Sequence, residues 1–77
     1  MTQARTEERH PATQQIMRWF TFGHLPPGEP QRISAICSMT ADEIVEGLPD
    51  GPELTAGLRK LLEAKDCFVR AAIAGEE

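Results

Sequence analysis

Tyrosine is absent from the chain, and one tryptophan and three phenylalanines are its whole aromatic complement. Much of the large-residue packing, and any stacking on a ligand, therefore falls to Trp19, Phe20, Phe22 and Phe68. Cysteine is nearly absent. Cys37 and Cys67 are too few for a secreted disulfide framework and lack metal-ligand spacing, and His10 and His24 do not complete a zinc motif. Both cysteines read as small buried or boundary residues. An antiparallel pairing of two helices about Pro52 would bring them near enough for a bridge, which a reducing cytosol opposes. No apolar run reaches the ~18 residues of a membrane span, and the first residues lack the apolar core of a signal peptide. A cytoplasmic location is expected. The net charge of -4 argues against a general binder of duplex DNA or RNA, but a few arginines can still build a local anion pocket. Glycine-rich phosphate loops, nucleophile motifs and strand alternation are missing too. His24 with Cys37 or Ser34 could be drawn as base and nucleophile, but nothing local supports that pair. For catalysis the sequence is therefore poor, and no cofactor is expected.

What is present is helical. Seventy-seven residues make one small domain, which buries about 60% of its unfolded surface and is marginal alone. Residues 1–10 are polar and read as an arm, so the domain is placed at 11–77. Pro11 suits a first helical position, and Ile16, Met17, Trp19 and Phe20 follow at helical spacing, which predicts a short helix over 11–21 with Trp19 and Phe20 in the core. A connector from Phe22 to Pro30 leads to a second helix, from the first turn around Pro30 to Gly47. Its apolar stripe is Ile33, Ile36, Cys37, Ala41, Ile44 and Leu48, with Asp42 and Glu46 facing away. The run Leu48-Pro49-Asp50-Gly51-Pro52 is the sharpest punctuation. Asp50 or Gly51 is expected to cap a third helix over 52–74 that has Pro52 at its start. So short a link between two long amphipathic helices reads as an antiparallel hairpin. The fold class is therefore all-α: a short N-terminal helix followed by a long antiparallel hairpin. The apolar surface left over predicts an oligomer.

The third helix holds one anomaly. With Leu54 at the centre of its apolar arc, Leu58, Leu61, Leu62, Phe68, Val69 and Ala72 lie within ~80°. Lys65 lies about 20° from the centre, between Leu58 and Leu61. A cation there must snorkel, pair with an acid such as Glu43, or meet an anion from a subunit or ligand. The far side carries Arg59, Glu63, Asp66 and Arg70, expected as Arg59–Glu63 and Asp66–Arg70 pairs in a solvated face. A second constellation is Arg18-Trp19-Phe20-Thr21-Phe22-Gly23-His24, where aromatic faces stand between two cations. That is what base stacking and phosphate pairing require, although His24 also suits a loop hydrogen bond.

The segments Phe20-Thr21-Phe22-Gly23-His24-Leu25-Pro26-Pro27, Ile44-Val45-Glu46-Gly47-Leu48-Pro49-Asp50 and Leu58-Arg59-Lys60-Leu61-Leu62-Glu63-Ala64-Lys65-Asp66 together resemble the helical-hairpin domain of phage anti-CBASS sponges, shared with the related anti-Thoeris sponges. The likeness spans about residues 16–73. The resemblance implies a non-enzymatic protein that binds cyclic di- or trinucleotide second messengers without cleaving them and starves a bacterial immune effector of its signal. It implies a compact homo-oligomer, typically a hexamer, in the host cytoplasm if the chain is phage-encoded. It also implies dinucleotide pockets between subunits and separate trinucleotide pockets. The family's aromatic before His-x-Pro stacks on a base, and Phe22 holds that position without the hydroxyl of a tyrosine. Some relatives place a basic residue early in the second helix where Ser34 stands here. Arg32 lies about 160° round the helix from Ser34. The candidate ligand-binding residues are thus Phe22, His24, Arg18, Arg32, Ser34 and Lys65.

Overall fold

The computed structural model describes residues 9–76; residues 1–8, most of the expected polar arm, lie outside the described residues. Three helices follow in order: α1 (Pro11–Met17), α2 (Glu29–Gly47) and α3 (Pro52–Gly75). The two long helices pack antiparallel, and α1 lies against α3. Among the described residues no helix is long and apolar enough to cross a membrane.

Pro30, Gly51 and Pro52 stand at the starts of the long helices as expected, and Gly28 joins them. Gly28 and Gly51 precede α2 and α3, and each helix carries proline in its first turn, where amide hydrogens are orphaned anyway. Gly28 has φ 142° with extended ψ, a region that essentially only glycine occupies, so the entry into α2 requires it.

The core joins Ile16 and Phe20 to Ala41 and Val45 of α2 and Leu54 and Leu58 of α3. Four expectations about packing change. First, α1 ends at Met17 rather than at residue 21. Beyond it the chain tightens into i→i+3 bonds, with Trp19 N–H donating to Ile16 and Phe20 N–H to Met17, both at 3.1 Å. Phe20 keeps the core position at 7% exposure, while Trp19 is 67% exposed. Second, the buried arc of α2 is Ser34, Cys37, Ser38, Ala41 and Val45, whereas Ile36 and Leu48 face outward. Two serines thus occupy core positions that a hydropathy pattern assigns to the surface, and Asp42 is half-buried rather than on the far side. Third, Phe68 is 55% exposed, on a groove where α3 runs beside the start of α2. Fourth, Cys67 is exposed rather than buried or at a boundary, whereas Cys37 is buried and both cysteines are free, in line with expectation.

Asp50 does not cap α3. Its carboxylate reaches back to the start of α1, where Oδ2 accepts from His10 N–H (3.1 Å) and Oδ1 from the Thr13 hydroxyl (2.8 Å) and Arg9 Nε (3.0 Å). Arg9 also donates to the carbonyls of Val45 (2.6 Å) and Leu48, at the end of α2, where helix carbonyls lack intrahelical partners. His10 closes the other end of the clasp, its Nδ1 accepting from Ala12 N–H at 3.0 Å to cap α1. Arg9 and His10, assigned by sequence to the arm, therefore tie α1 to the hairpin turn.

Desolvation raises the Asp50 carboxyl, but the bonds from Arg9, His10 and Thr13 and the Arg9 charge outweigh it and hold its pKa below the ordinary value. A depressed folded-state value means the carboxylate's contribution is complete above the unfolded aspartate pKa of about 3.9 and is lost as pH falls through the folded value. Asp50→Asn is therefore expected to lower the thermal midpoint at pH 7 and to flatten its fall in acid. Identical acid profiles for the two proteins, read by circular dichroism, would show that this carboxylate contributes nothing.

Candidate functional site

The connector after α1 is hung from both long helices. Ser34 is fully buried in α2 and donates its hydroxyl to the Thr21 carbonyl at 2.8 Å. Gln31, one turn earlier, reaches the Leu25 carbonyl at 3.0 Å and the Phe22 carbonyl at 3.4 Å. From the other side Lys65 Nζ donates to the Trp19 carbonyl at 2.9 Å. Three side chains thus hold residues 19–25 as a shaped loop against α3.

Between that loop and α3 lies a groove of about 650 Å³, lined by Trp19, Thr21, His24, Leu62, Lys65 and Asp66. This volume lies within the usual range for small-ligand sites, ~300–1,000 Å³. Lys65 forms its inner wall and is only 7% exposed. It pairs with no carboxylate: the ion pairs among the described residues are Arg9–Asp50 and Arg32–Glu29. Glu43, the acid considered for it, is exposed on α2 and does not pair with it. An ammonium carries three donors, and the Trp19 carbonyl takes one. A buried cation outside any ion pair is costly, and the one carboxylate of the groove lining, Asp66, is not bonded to it, which leaves the ammonium able to take an anionic or carbonyl acceptor. At the rim the Thr21 hydroxyl and His24 Nδ1 stand 3.4 Å apart, which steadies the imidazole beside the opening. Asp66 adds an acceptor that suits an exocyclic amino group.

Of the six residues singled out from sequence, Lys65 and His24 meet in this groove. Phe22 is 40% exposed on the same loop but outside the groove lining. Arg18 is exposed and also lies outside it. Arg32 is spent on Glu29 at 2.7 Å; that hydrogen bond and the adjacent charge hold the Glu29 carboxyl below its ordinary value and push the guanidinium up. Ser34 acts from behind, through the Thr21 carbonyl. Trp19 is the residue that sequence reasoning placed elsewhere. A signal was present, because adjacent helical residues point ~100° apart and a narrow core stripe rarely accepts two neighbouring aromatics. The expected Arg59–Glu63 and Asp66–Arg70 pairs are not formed; Arg70 instead contacts Cys67 Sγ at 3.5 Å. No group of His, Cys, Asp or Glu among the described residues is arranged to hold a metal.

The sequence matches no protein-family model, no curated protein and no solved structure.

Proposed function

We propose that this chain is a non-catalytic sponge. It binds cyclic di- or trinucleotide immune second messengers in the host cytoplasm, holds them intact, and thereby blocks CBASS-type antiphage defence. The observation that carries the proposal is Lys65, a buried cation in no ion pair, in the wall of a groove that an exposed indole, an imidazole and the Asp66 carboxylate share. A phosphate meets the ammonium, a base lies on Trp19, and His24 and Asp66 read polar edges. Stacking contributes ~1–3 kcal/mol per base, and a charge-assisted bond in a largely buried position adds to it. The resemblance to the sponge family adds the messenger class and the homo-oligomeric assembly, with a hexamer as the expected size.

Calorimetric titration with a panel of cyclic di- and trinucleotides tests the proposal, with recovery of the ligand after heat denaturation. Saturable heat and intact ligand are expected; no heat with any member, from correctly assembled protein, removes the proposal. Trp19→Ala is expected to weaken the tightest ligand at least tenfold. If Phe22→Ala weakens it more, the base lies at the position that the family resemblance assigns.

A protein-interaction hairpin without a small ligand is the second reading. A groove of about 540 Å³ between α2 and α3 favours it, lined by Ile33, Ile36, Cys37, Leu61, Phe68 and Ala72 among others. Within a sponge the same surface is the face for self-association. Sedimentation of the purified protein separates the two readings: a stable homo-oligomer fits the sponge, and a monomer with an apolar groove fits the docking module.

A further inference from the structure

Trp19 is the shared wall of two grooves. It also lines a second hollow of about 500 Å³, together with Pro11, Ala12, Gln15, Ile16, Arg59 and Leu62. Leu62 also belongs to both, so the two hollows adjoin across one leucine and one indole. Each carries one lysine or arginine, and the first holds His24 and Asp66 as well. Lys65 stands in the first and Arg59 in the second, at i+3 and i-3 from Leu62 on α3. The two cations are therefore about 9 Å apart along the helix axis, with the apolar contact between them.

Arg59 differs from the other arginines with a visible role. Arg9 is consumed by Asp50 and two carbonyls, and Arg32 by Glu29. Arg59 forms no ion pair and no side-chain hydrogen bond, although Glu63 lies one turn away on the same helix. A free guanidinium beside an exposed indole and the Gln15 side chain offers planar, bidentate recognition of a phosphodiester.

We infer that Arg59 is a second phosphate-binding residue for the ligand of the Lys65 groove. That ligand lies across Leu62, with its ring against Trp19 and its two phosphodiesters divided between Lys65 and Arg59. The inference rests on the nucleotide-binding proposal above and narrows it. The ligand class it names carries at least two phosphates on opposite sides of one compact ring, so a single-phosphate nucleotide fills only half of the surface.

The test compares 3′,3′- and 2′,3′-linked cyclic dinucleotides with 3′,5′-cyclic AMP as the single-phosphate probe, on the full chain. Arg59 is exposed and makes no ion pair or side-chain hydrogen bond, so Arg59→Ala is expected to leave the thermal midpoint nearly unchanged. It is expected to weaken the tightest cyclic dinucleotide at least tenfold while changing cyclic AMP less than twofold. Arg59→Lys restores part of the loss, and Lys60→Ala, which removes a neighbouring charge outside both grooves, causes none. Equal losses from Arg59→Ala and Lys60→Ala, or an unaltered dinucleotide affinity in Arg59→Ala, overturn the role of Arg59 and leave the Lys65 site standing. If the unmodified protein binds no panel member, the nucleotide reading itself fails, and the second phosphate site with it.

Discussion

Leu58→Ala is expected to be among the most destabilising single changes in this chain. Leu58 is 1% exposed, sits midway along the first half of α3, and belongs to the cluster that joins all three helices. Truncating a buried leucine costs about 2–5 kcal/mol, because the lost transfer energy adds to the cavity left behind. At ~0.05–0.15 kcal/mol per residue, a 77-residue domain has roughly 4–12 kcal/mol in total. The substitution thus removes a large share of the stability. The check is a urea or guanidinium titration followed by helical circular dichroism: the midpoint falls while the slope is unchanged. A midpoint within experimental error of the parent would mean that the hairpin seam does not hold the fold together. By contrast Phe68→Ala, at a half-exposed aromatic outside that cluster, is expected to leave a monomer's stability nearly intact, so its effects report on assembly.

The second large effect separates stability from function. In Lys65→Met the buried charge is replaced by an apolar side chain of similar length. Such replacements are frequently neutral or stabilising, because desolvating an uncompensated cation is costly. The lost bond to the Trp19 carbonyl offsets part of that gain, at ~0.5–1.5 kcal/mol. The net shift in folding stability is therefore small. Nucleotide affinity is expected to fall by at least a hundredfold, about 2.7 kcal/mol, since the anion loses its buried partner. Lys60→Met, on the exposed side of the same helix, is expected to change neither quantity. Equal effects of the two substitutions on binding would remove Lys65 from the site. A large loss of folding stability in Lys65→Met would mark it as a structural residue that chiefly holds the connector.

The hairpin was legible because its punctuation is local. Pro30, Gly51 and Pro52 act through the residues beside them, and the leucine spacing of α3 needs no knowledge of the partner helix. Lys65 was legible for the same reason: a cation among Leu58, Leu61 and Leu62 stands out on a helical wheel. Tertiary pairings were not legible. Arg9 and Asp50 are 41 residues apart in sequence, and nothing near either residue announces the other. Ser34 and Ser38 look polar, yet both are buried; Ser34 is satisfied by the Thr21 carbonyl, whereas Ser38 Oγ has no protein partner. Trp19 and Phe20 are both large aromatics, and the early end of α1 bears on which of them faces the core. The candidate site shares this division. Its cation was visible in the pattern of α3, while its aromatic wall depends on where a neighbouring helix stops.

Trp19 also supplies the direct measurement, because it is the sole tryptophan in the chain. Its indole is exposed and borders both hollows, so its emission reports the proposed site and no other. Titrating the assembled protein with the cyclic-nucleotide panel is expected to quench that emission saturably, with the same affinity that calorimetry gives, and Lys65→Met is expected to abolish the change at matched concentrations. Emission that stays constant while calorimetry records saturable binding would place the ligand elsewhere. Constant emission with no heat from any member would contradict the nucleotide-binding function itself.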